Sequence, residues 1–494
     1  MPFVYLLLLA LICMQTRWPA TPNWLTPTGC AILVGTLVIA SWLTAGLIAK
    51  VLSWQLRRQR ELQFYLIRRY GRARRYHFIA IVTAYLVSLY FFGWADVATT
   101  WMGETITALT GTNAPTDADA PERLLVGREL VLLAPFFLAL FLSWERFYRV
   151  EQSAYEVRNY PDHFISKRAY LLAQIRNQWI FVVPPVVLLV FNQLLLSVLP
   201  DSRDGNRLLA VLAALTMGAA FLLLPMLLRL FLGLKPLPPG PLRERLESTA
   251  KRLGFRFSNI LVWNTRNQIA NALVTGFVPW IRYVILTDRL IHDLTPEEIE
   301  AVFGHEVGHI RYRHLFFYLA FFVVSFILLG FVWENAAEWV RTERPLDALQ
   351  QWVSANYDDA EIEEFLATVS SFCKLLLMAA YTLLVFGYLS RRCERQADLF
   401  GSSTVSTAVF INALEKVADI NGIPREGSGN WLVSWQHPTI GQRVDFLRVM
   451  EDRPAEVRRF HSSLLMMQIA CYAALCLLLW CYNFERIWQL VGMF

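Results

Sequence analysis

The amino-acid sequence predicts a mainly α-helical, polytopic membrane protein with about eight transmembrane helices and a cytoplasmic α+β domain that contains a small β-sheet. Only 17% of the 494 residues are charged and 55% are hydrophobic, whereas a soluble chain carries about 25% charged residues. Apolar stretches long enough to cross a bilayer recur along the chain, and the loops between them alternate in charge. The net charge of +6 comes from arginines beside these stretches, so membrane lipid is an expected partner and nucleic acid is not.

The predicted spans each contain about 20 mostly apolar residues. They cover residues 31–52, 77–95, 127–147, 179–199, 208–233, 314–333, 371–389 and 463–482. An earlier apolar run, residues 3–13, is too short to cross comfortably. It resembles the hydrophobic region of a signal peptide but has no basic segment before it, so its cleavage stays open.

The charges in the loops predict the orientation of the spans. Residues 54–76 contain eight arginines and one acidic residue, residues 96–126 are acidic, and residues 148–178 are basic again. Cytoplasmic loops carry the excess of Lys and Arg, so the first and third of these loops are expected in the cytoplasm. Continued alternation places the acidic loop 334–370 outside.

The same topology divides the chain into six segments and puts two long polar segments on the cytoplasmic side, where they are expected to form one domain. The segments are an N-terminal apolar segment (1–30), a five-span membrane region (31–233), the first half of the cytoplasmic domain (234–313), a two-span helical pair with an acidic outside loop (314–389), the second half of the domain (390–462), and a C-terminal span and tail (463–494).

The first half of the domain is predicted to be β-rich and to end in a helix. After the Pro/Gly break "KPLPPGPL", a short helix "RERLESTAKRLG" leads into the β-rich runs "FRFSNILVWN", "NQIANALVTG" and "RYVILTD". Gly276 and Pro279 lie between the last two, as in a hairpin-like turn. Thr295 as N-cap, Pro296 at the first helical position and Glu298 in a capping box then predict the start of a helix.

That helix carries the motif H-E-x-x-H in "FGHEVGHI". His305 and His309 are four residues apart and share one face, so their imidazoles can reach the same ion. Glu306 is placed to reach a water molecule rather than the ion. The pattern is typical of zinc peptidases, but a chain with eight histidines contains it by chance roughly once in a hundred sequences. A third ligand is therefore needed.

Two residues are candidates for the third ligand. On one continuous helix, His314 points roughly 180° away from His305, so we interpret His314 as an interfacial or packing histidine. Glu394 and Asp398, in "LSRRCERQADLFG", are spaced i and i+4 and face the same way. An exposed helix shows the same spacing as solvated charges. However, the antiparallel sixth and seventh spans return this segment to the membrane surface where the H-E-x-x-H helix ends, which favours Glu394.

The motifs H-E-V-G-H and S-R-R-C-E-R-Q-A-D together resemble the zinc endopeptidase family that contains the CaaX prenyl endoprotease and the HtpX protease. Two further motifs match in the family's order, "NALVTG" at 271–276 and "HPTIGQR" at 437–443. Together the four motifs extend over roughly residues 240–450. Five spans before the H-E-x-x-H helix and two after it resemble the CaaX prenyl endoprotease more than HtpX, while the eighth span departs from both.

The resemblance implies a zincin-like metalloprotease domain of the gluzincin type that binds one Zn²⁺ per chain. The residues it implies are the zinc ligands His305, His309 and Glu394, the general base Glu306, Asp398 as a group that orients a ligand histidine, Asn271 and Ala272 on an edge strand that pairs with substrate, His437 as an oxyanion-stabilising group or extra ligand, and Arg443 as a structural residue.

The expected activity is zinc-dependent hydrolysis of peptide bonds in membrane-associated or lipidated proteins, by a domain on the cytoplasmic side. Quality control of membrane proteins, as the likeness to HtpX implies, is one alternative. A membrane transporter or scaffold with a structural zinc site is another. The spans contain few ionisable residues, and those near their ends, such as Arg229 and Lys374, can reach the interface, which disfavours the transporter.

Overall fold

The computed structural model describes residues 21–110, 127–157, 164–198, 203–265, 267, 269–343, 369–370, 373–374, 376–426 and 437–491. The predicted signal-like run and most of the acidic loop 334–370 lie outside these residues. The chain divides into two compact units. The first consists of Met1–Phe221 and Val353–Cys373, and the second of Leu222–Trp352 and Lys374–Phe494.

Long apolar helices build the first unit. They are α1 (Pro27–Arg58), α2 (Gln63–Tyr90), α3 (Trp94–Thr110), α4 (Arg128–Val157), α5 (Lys167–Val198) and α6 (Arg203–Phe231), which continues into the second unit. Small residues of α1, Ala45 and Ala49, pack in one buried cluster with Phe147 of α4. Tyr85 of α2 packs on Phe136 of α4 with ring centroids 5.3 Å apart, so α4 lies at the centre of this core.

Among the described residues, four helical stretches are long and apolar enough to cross a membrane. They are Pro27–Arg58, Arg128–Val157, His314–Trp333 and Pro454–Cys481, and they cover the first, third, sixth and eighth predicted spans except for residues 127 and 482. Tyr65–Tyr90 and Trp94–Thr105 are long and apolar enough only when taken together, and the two helices are bent by 64° relative to each other. The fourth and fifth predicted spans contain the shorter apolar helices Val186–Leu195 and Leu222–Phe231. The total of eight spans and their sidedness therefore stay predictions.

The second unit combines a small mixed sheet with helices. Its strands are β1 (Lys235–Pro236), β2 (Asn259–Trp263), β3 (Ala272–Thr275) and β4 (Tyr283–Thr287), in the order β1-β2-β4-β3. Its helices are α7 (Pro241–Arg252), α8 (Asp288–Asp293), α9 (Pro296–Arg311), α10 (His314–Glu343), α11 (Gly387–Thr404), α12 (Thr407–Asn421), α13 (Ile440–Glu451) and α14 (Pro454–Val491). The predicted short helix and three strands are confirmed. The sequence did not predict β1 or the parallel pairing of β2 with β4.

The sheet packs on α9 through a continuous apolar core. All five residues of β4 are buried, as expected for a strand with a neighbour on each side. Val284 and Leu286 pack with Ile260 of β2, Leu246 of α7 and Phe303 of α9. In the described part of the chain β3 pairs only with β4, so its other edge is available to a further strand.

The predicted start of α9 is confirmed at atomic detail. The Thr295 side chain accepts a hydrogen bond from the Glu298 N–H, and the Glu298 carboxylate accepts one from the Thr295 N–H. The helix ends at Arg311, and Arg313 has a φ of +55°. This left-handed residue breaks the path before α10 begins at His314, so the assumption of one continuous helix from His305 to His314 is wrong.

Candidate active site

Glycines allow α9 and α11 to approach to backbone contact. A Cβ atom on Gly304 would overlap the Thr404 hydroxyl, and one on Gly401 would lie 3.0 Å from the His305 Cβ. Gly308, one turn after Gly304, faces the same helix. The two helices therefore pack closely enough for short side chains from both to meet. The i, i+4 spacing of the two α9 glycines is the sequence signal that could have predicted this contact.

Side chains of α9 and α11 meet in a compact triangle. The Nε2 atoms of His305 and His309 are 3.2 Å apart. Glu394 places one carboxylate oxygen 3.7 Å from the first of these nitrogens and the other 3.5 Å from the second. All the candidate ligand atoms lie within 4.8 Å of one another, so the three residues can share one metal ion.

The second nitrogen of His305 faces a buried carboxylate. His305 Nδ1 lies 3.0 Å from Asp398 Oδ1, and Arg443 donates two hydrogen bonds to the same carboxylate, at 2.9 and 2.5 Å. Burial alone raises the pKa of Asp398, but the Arg443 guanidinium reverses this and holds the pKa below its usual value. Asp398 is therefore an anion beside His305 Nδ1, and Arg443 fixes its position.

The second nitrogen of His309 begins a chain of hydrogen bonds that the sequence did not predict. His309 Nδ1 lies 2.9 Å from His314 Nδ1, His314 Nε2 lies 2.9 Å from Gln396 Oε1, and Gln396 Nε2 lies 2.8 Å from His461 Nδ1. The Gln396 oxygen can only accept, so a neutral His314 donates from Nε2 and accepts at Nδ1. His309 must then donate from Nδ1, which leaves its Nε2 atom without a proton. We call these four residues the histidine chain.

This tautomer leaves the Nε2 atom of His309 as an acceptor that faces His305 Nε2, 3.2 Å away. Burial lowers the pKa of His309 to about 3, so this ring is neutral. Burial alone also lowers the pKa of His305, but the Asp398 carboxylate reverses this and raises it. The outer partners thus direct both Nε2 atoms to one point, as partners of metal-binding histidines do.

Glu306 lies between the triangle and the edge strand. Its carboxylate accepts a hydrogen bond of 3.2 Å from the N–H of Val274 in β3. Burial raises the pKa of this carboxyl to about 7, the range in which a general base works best near neutral pH. Asn271 is exposed directly before β3, and its side-chain oxygen accepts from the N–H of Ala272 at 3.0 Å.

His437 stands at the open side of the triangle. Its Nδ1 atom lies 3.1 Å from a carboxylate oxygen of Glu394, and 63% of its side chain is exposed. It precedes α13, whose Arg443 reaches Asp398. The structure thus brings His305, Glu306, His309, Glu394, Asp398, His437 and Arg443 together, with His314, Gln396 and His461 beside them. Asn271 and Ala272 lie on the same strand edge as Val274, the residue that contacts Glu306.

Fold and site define an arrangement in which an H-E-x-x-H helix leads into an apolar helix long enough to cross a membrane. Residues 236–451 match the model of peptidase family M48.

Three similar proteins show how far the likeness extends. CAAX prenyl protease 1 of Saccharomyces cerevisiae is 22% identical over 229 residues, which cover 44% of this chain and 50% of the relative. Protease HtpX of Pseudomonas paraeruginosa is 24% identical over 223 residues, 42% of this chain and 71% of the relative. A CAAX prenyl protease 1 homolog of Oryza sativa is 28% identical over 227 residues, 44% of this chain and 49% of the relative. The chain thus matches about half the length of the yeast and rice relatives.

The fold extends beyond the family region. The crystal structure of S. mikatae Ste24p aligns with a TM-score of 0.53 and 18% identity, covering 87% of this chain and all of that one. Because the aligned part is larger than residues 236–451, the similarity in fold includes helices outside that range.

Proposed function

We propose that the chain is a membrane-embedded, zinc-dependent endopeptidase that cleaves membrane-associated or lipidated proteins on the cytoplasmic side of the membrane. The triangle of His305, His309 and Glu394 carries the proposal. Tetrahedral zinc with bonds of about 2.0–2.2 Å separates its ligand atoms by roughly 3.3–3.6 Å. The contacts of 3.2, 3.5 and 3.7 Å fit that geometry, and three protein ligands leave the fourth position open.

The residues around the triangle suit peptide hydrolysis. His305, His309 and Glu394 would hold a zinc ion, which would supply Lewis acidity towards the scissile carbonyl and the attacking water. Glu306 accepts the proton of the attacking water and returns it to the leaving amine. His437, exposed on the open side, stabilises the negative charge that develops on the carbonyl oxygen.

The edge of β3 is the proposed binding site for the substrate backbone. N–H groups alternate in direction along an antiparallel strand. Val274 directs its N–H at Glu306, on the side away from β4, and Ala272 shares that direction. An extended peptide can therefore add as a further strand beside β3. Asn271 lies at the beginning of this edge. A peptide bound beside β3 would have its scissile bond next to Glu306.

Lipidated substrates are favoured by the names of the relatives. The yeast and rice proteins are both called CAAX prenyl proteases, and the likeness to Ste24p continues through the membrane helices. HtpX is also among the similar proteins. Comparing a prenylated peptide with an unfolded membrane protein as substrates separates processing from quality control.

Replacing Glu306 tests the catalytic assignment. We expect Glu306→Gln to retain about one zinc per chain and to lose activity on a membrane-anchored peptide by about 100- to 10,000-fold, the usual contribution of a general base. Glu394→Ala is expected to lose the metal itself. Zinc is measured by mass spectrometry and hydrolysis with and without a chelator. Glu244→Gln, at an exposed position of α7, is the control. Unchanged hydrolysis by Glu306→Gln contradicts the assignment.

A further inference from the structure

The turn between β3 and β4 exposes an apolar surface. Residues 277–281, "FVPWI", contain no polar side chain except the indole N–H of Trp280, which is 72% exposed. We call them the aromatic turn. A domain surrounded by water seldom presents five consecutive apolar residues at the tip of a turn.

The aromatic turn is held in one conformation. Gly276 enters it with a φ of +111°, and a Cβ there would lie 2.6 Å from the Ile281 carbonyl oxygen. Arg282 closes it by donating hydrogen bonds to the carbonyl oxygens of Gly276 and Phe277, at 3.1 and 2.8 Å. The exposure of Trp280 is therefore built into the backbone and does not arise from a loose loop.

Two apolar helices border the turn. The Phe277 ring lies 5.1 Å from the ring of Phe316, in the first turn of the predicted sixth span. Beside the turn, the Tyr283 ring lies 5.7 Å from the guanidinium of Arg229, in the last turn of α6. Leu230, next to that arginine, is 75% exposed. The aromatic turn thus lies beside the ends of two apolar helices.

We propose that the aromatic turn is inserted into the interface of the lipid bilayer, with the Trp280 ring at the level of the headgroups. The proposal rests on the proposed function, in which α10 crosses the membrane. Tryptophan prefers this depth because its ring is apolar while its N–H can bond to headgroups. Arg229 and Arg282 flank the turn and complement anionic headgroups.

Insertion places the substrate-binding edge at the membrane surface. Val274 precedes Phe277 by three residues, which corresponds to about 10 Å at the rise of a β-strand. A peptide lying beside β3 is then cleaved within a few residues of its own membrane anchor. The turn thus selects polypeptides whose scissile bond lies close to a lipid anchor or a span, and disfavours bonds far from the bilayer.

Spin-label accessibility tests the contact with lipid. The full chain is reconstituted in nanodiscs with anionic lipid, a label is attached at Trp280→Cys, and the exposed native cysteines Cys373, Cys476 and Cys481 are replaced by Ser. We expect oxygen, which concentrates in lipid, to relax this label more than a water-soluble nickel chelate does. A label at Lys251→Cys, exposed on α7, is expected to show the reverse. If the nickel chelate relaxes the labels at both positions more than oxygen does, the proposal is overturned.

A second measurement tests the effect on substrate choice. Trp280→Gln is expected to lower kcat/KM for a peptide anchored close to the scissile bond by roughly tenfold, since a buried aromatic contact is lost. Activity on the same peptide without its anchor is expected to stay unchanged, and Trp280→Phe to recover most of the loss. Equal losses on both peptides contradict the positioning role. The label measurement does not depend on catalysis, so it tests the lipid contact alone. A parent protein that hydrolyses neither peptide would instead contradict the proposed function.

Discussion

His314→Phe tests whether the histidine chain orients the metal ligand His309. The position is only 1% exposed, and phenylalanine fills a similar space without offering a nitrogen. The change removes the acceptor that lies 2.9 Å from His309 Nδ1. Loss of an outer partner of a metal-bound histidine lowers metal affinity by about 10- to 100-fold, and we expect a loss in this range for zinc. It corresponds to about 1.4–2.8 kcal/mol.

Positions along the chain are expected to differ in the size of this effect. His461→Phe keeps a ring that can stack on Tyr312, as the His461 ring does at 5.2 Å. It removes only the nitrogen that accepts from Gln396, and two members of the histidine chain separate this nitrogen from His309. Its effect should be smaller than that of His314→Phe. Asp398→Asn is expected to exceed both, because the partner of His305 is a charged carboxylate and hydrogen bonds to ionised groups are about twice as strong as neutral ones.

Zinc affinity is measured by competition with a chromogenic chelator, and folding is checked by thermal unfolding of the zinc-loaded and zinc-free proteins. His292→Phe is the matched control, because this histidine on α8 has a 76% exposed side chain and contacts Asp293 rather than the triangle. If His314→Phe binds zinc as tightly as the parent, the histidine chain does not orient the ligand. If the zinc-free and zinc-loaded proteins lose the same stability, its role is in packing.

Two further changes test how α9, α11 and α13 hold the site. Gly304→Ala forces a methyl group against Thr404 and is expected to destabilise the protein by about 1–3 kcal/mol and to lower zinc content. Gly330→Ala, where a Cβ meets no atom within 4 Å, is the control, and equal stability of the two variants contradicts the close approach. Arg443→Lys removes one of two hydrogen bonds to Asp398. The pKa of Asp398 is lowered in the folded protein, so its charged form stabilises the fold at any pH above the usual carboxyl pKa. This stabilisation is lost as the pH falls and Asp398 takes up a proton. Zinc release on acidification is therefore expected at higher pH in this variant, and identical release curves contradict it.

The sequence predicted those parts of the site that depend on local rules. The capping box of Thr295 and Glu298 marked the start of α9, and the spacing of His305 and His309 put both imidazoles on one face. Glu394 and Asp398 share a face of α11 because they are four residues apart, and both reach the histidines of α9. Helical periodicity needs only neighbouring residues, so a single sequence is sufficient for it.

Long-range contacts could not be predicted in the same way. The close packing of α9 on α11 depends on Gly401 lying opposite His305, almost a hundred residues further along the chain. Gln396 gives no sign in the sequence that its two amide atoms join His314 to His461. These contacts follow from the packing of whole helices, and no local pattern specifies that packing.

The orientation of His314 depends on a backbone feature and on the last apolar helix. Arginine rarely adopts a positive φ, so "IRYRHL" offers no signal for the break at Arg313. α14 packs against this break. Gln468 donates a hydrogen bond of 3.0 Å to the carbonyl oxygen of Tyr312, and His461 stacks on the Tyr312 ring. α14, which contains the eighth predicted span, thus contacts the break that turns His314 towards His309 and supplies His461 at the far end of the histidine chain. It belongs to the support of the proposed metal site, in addition to any role in anchoring the chain.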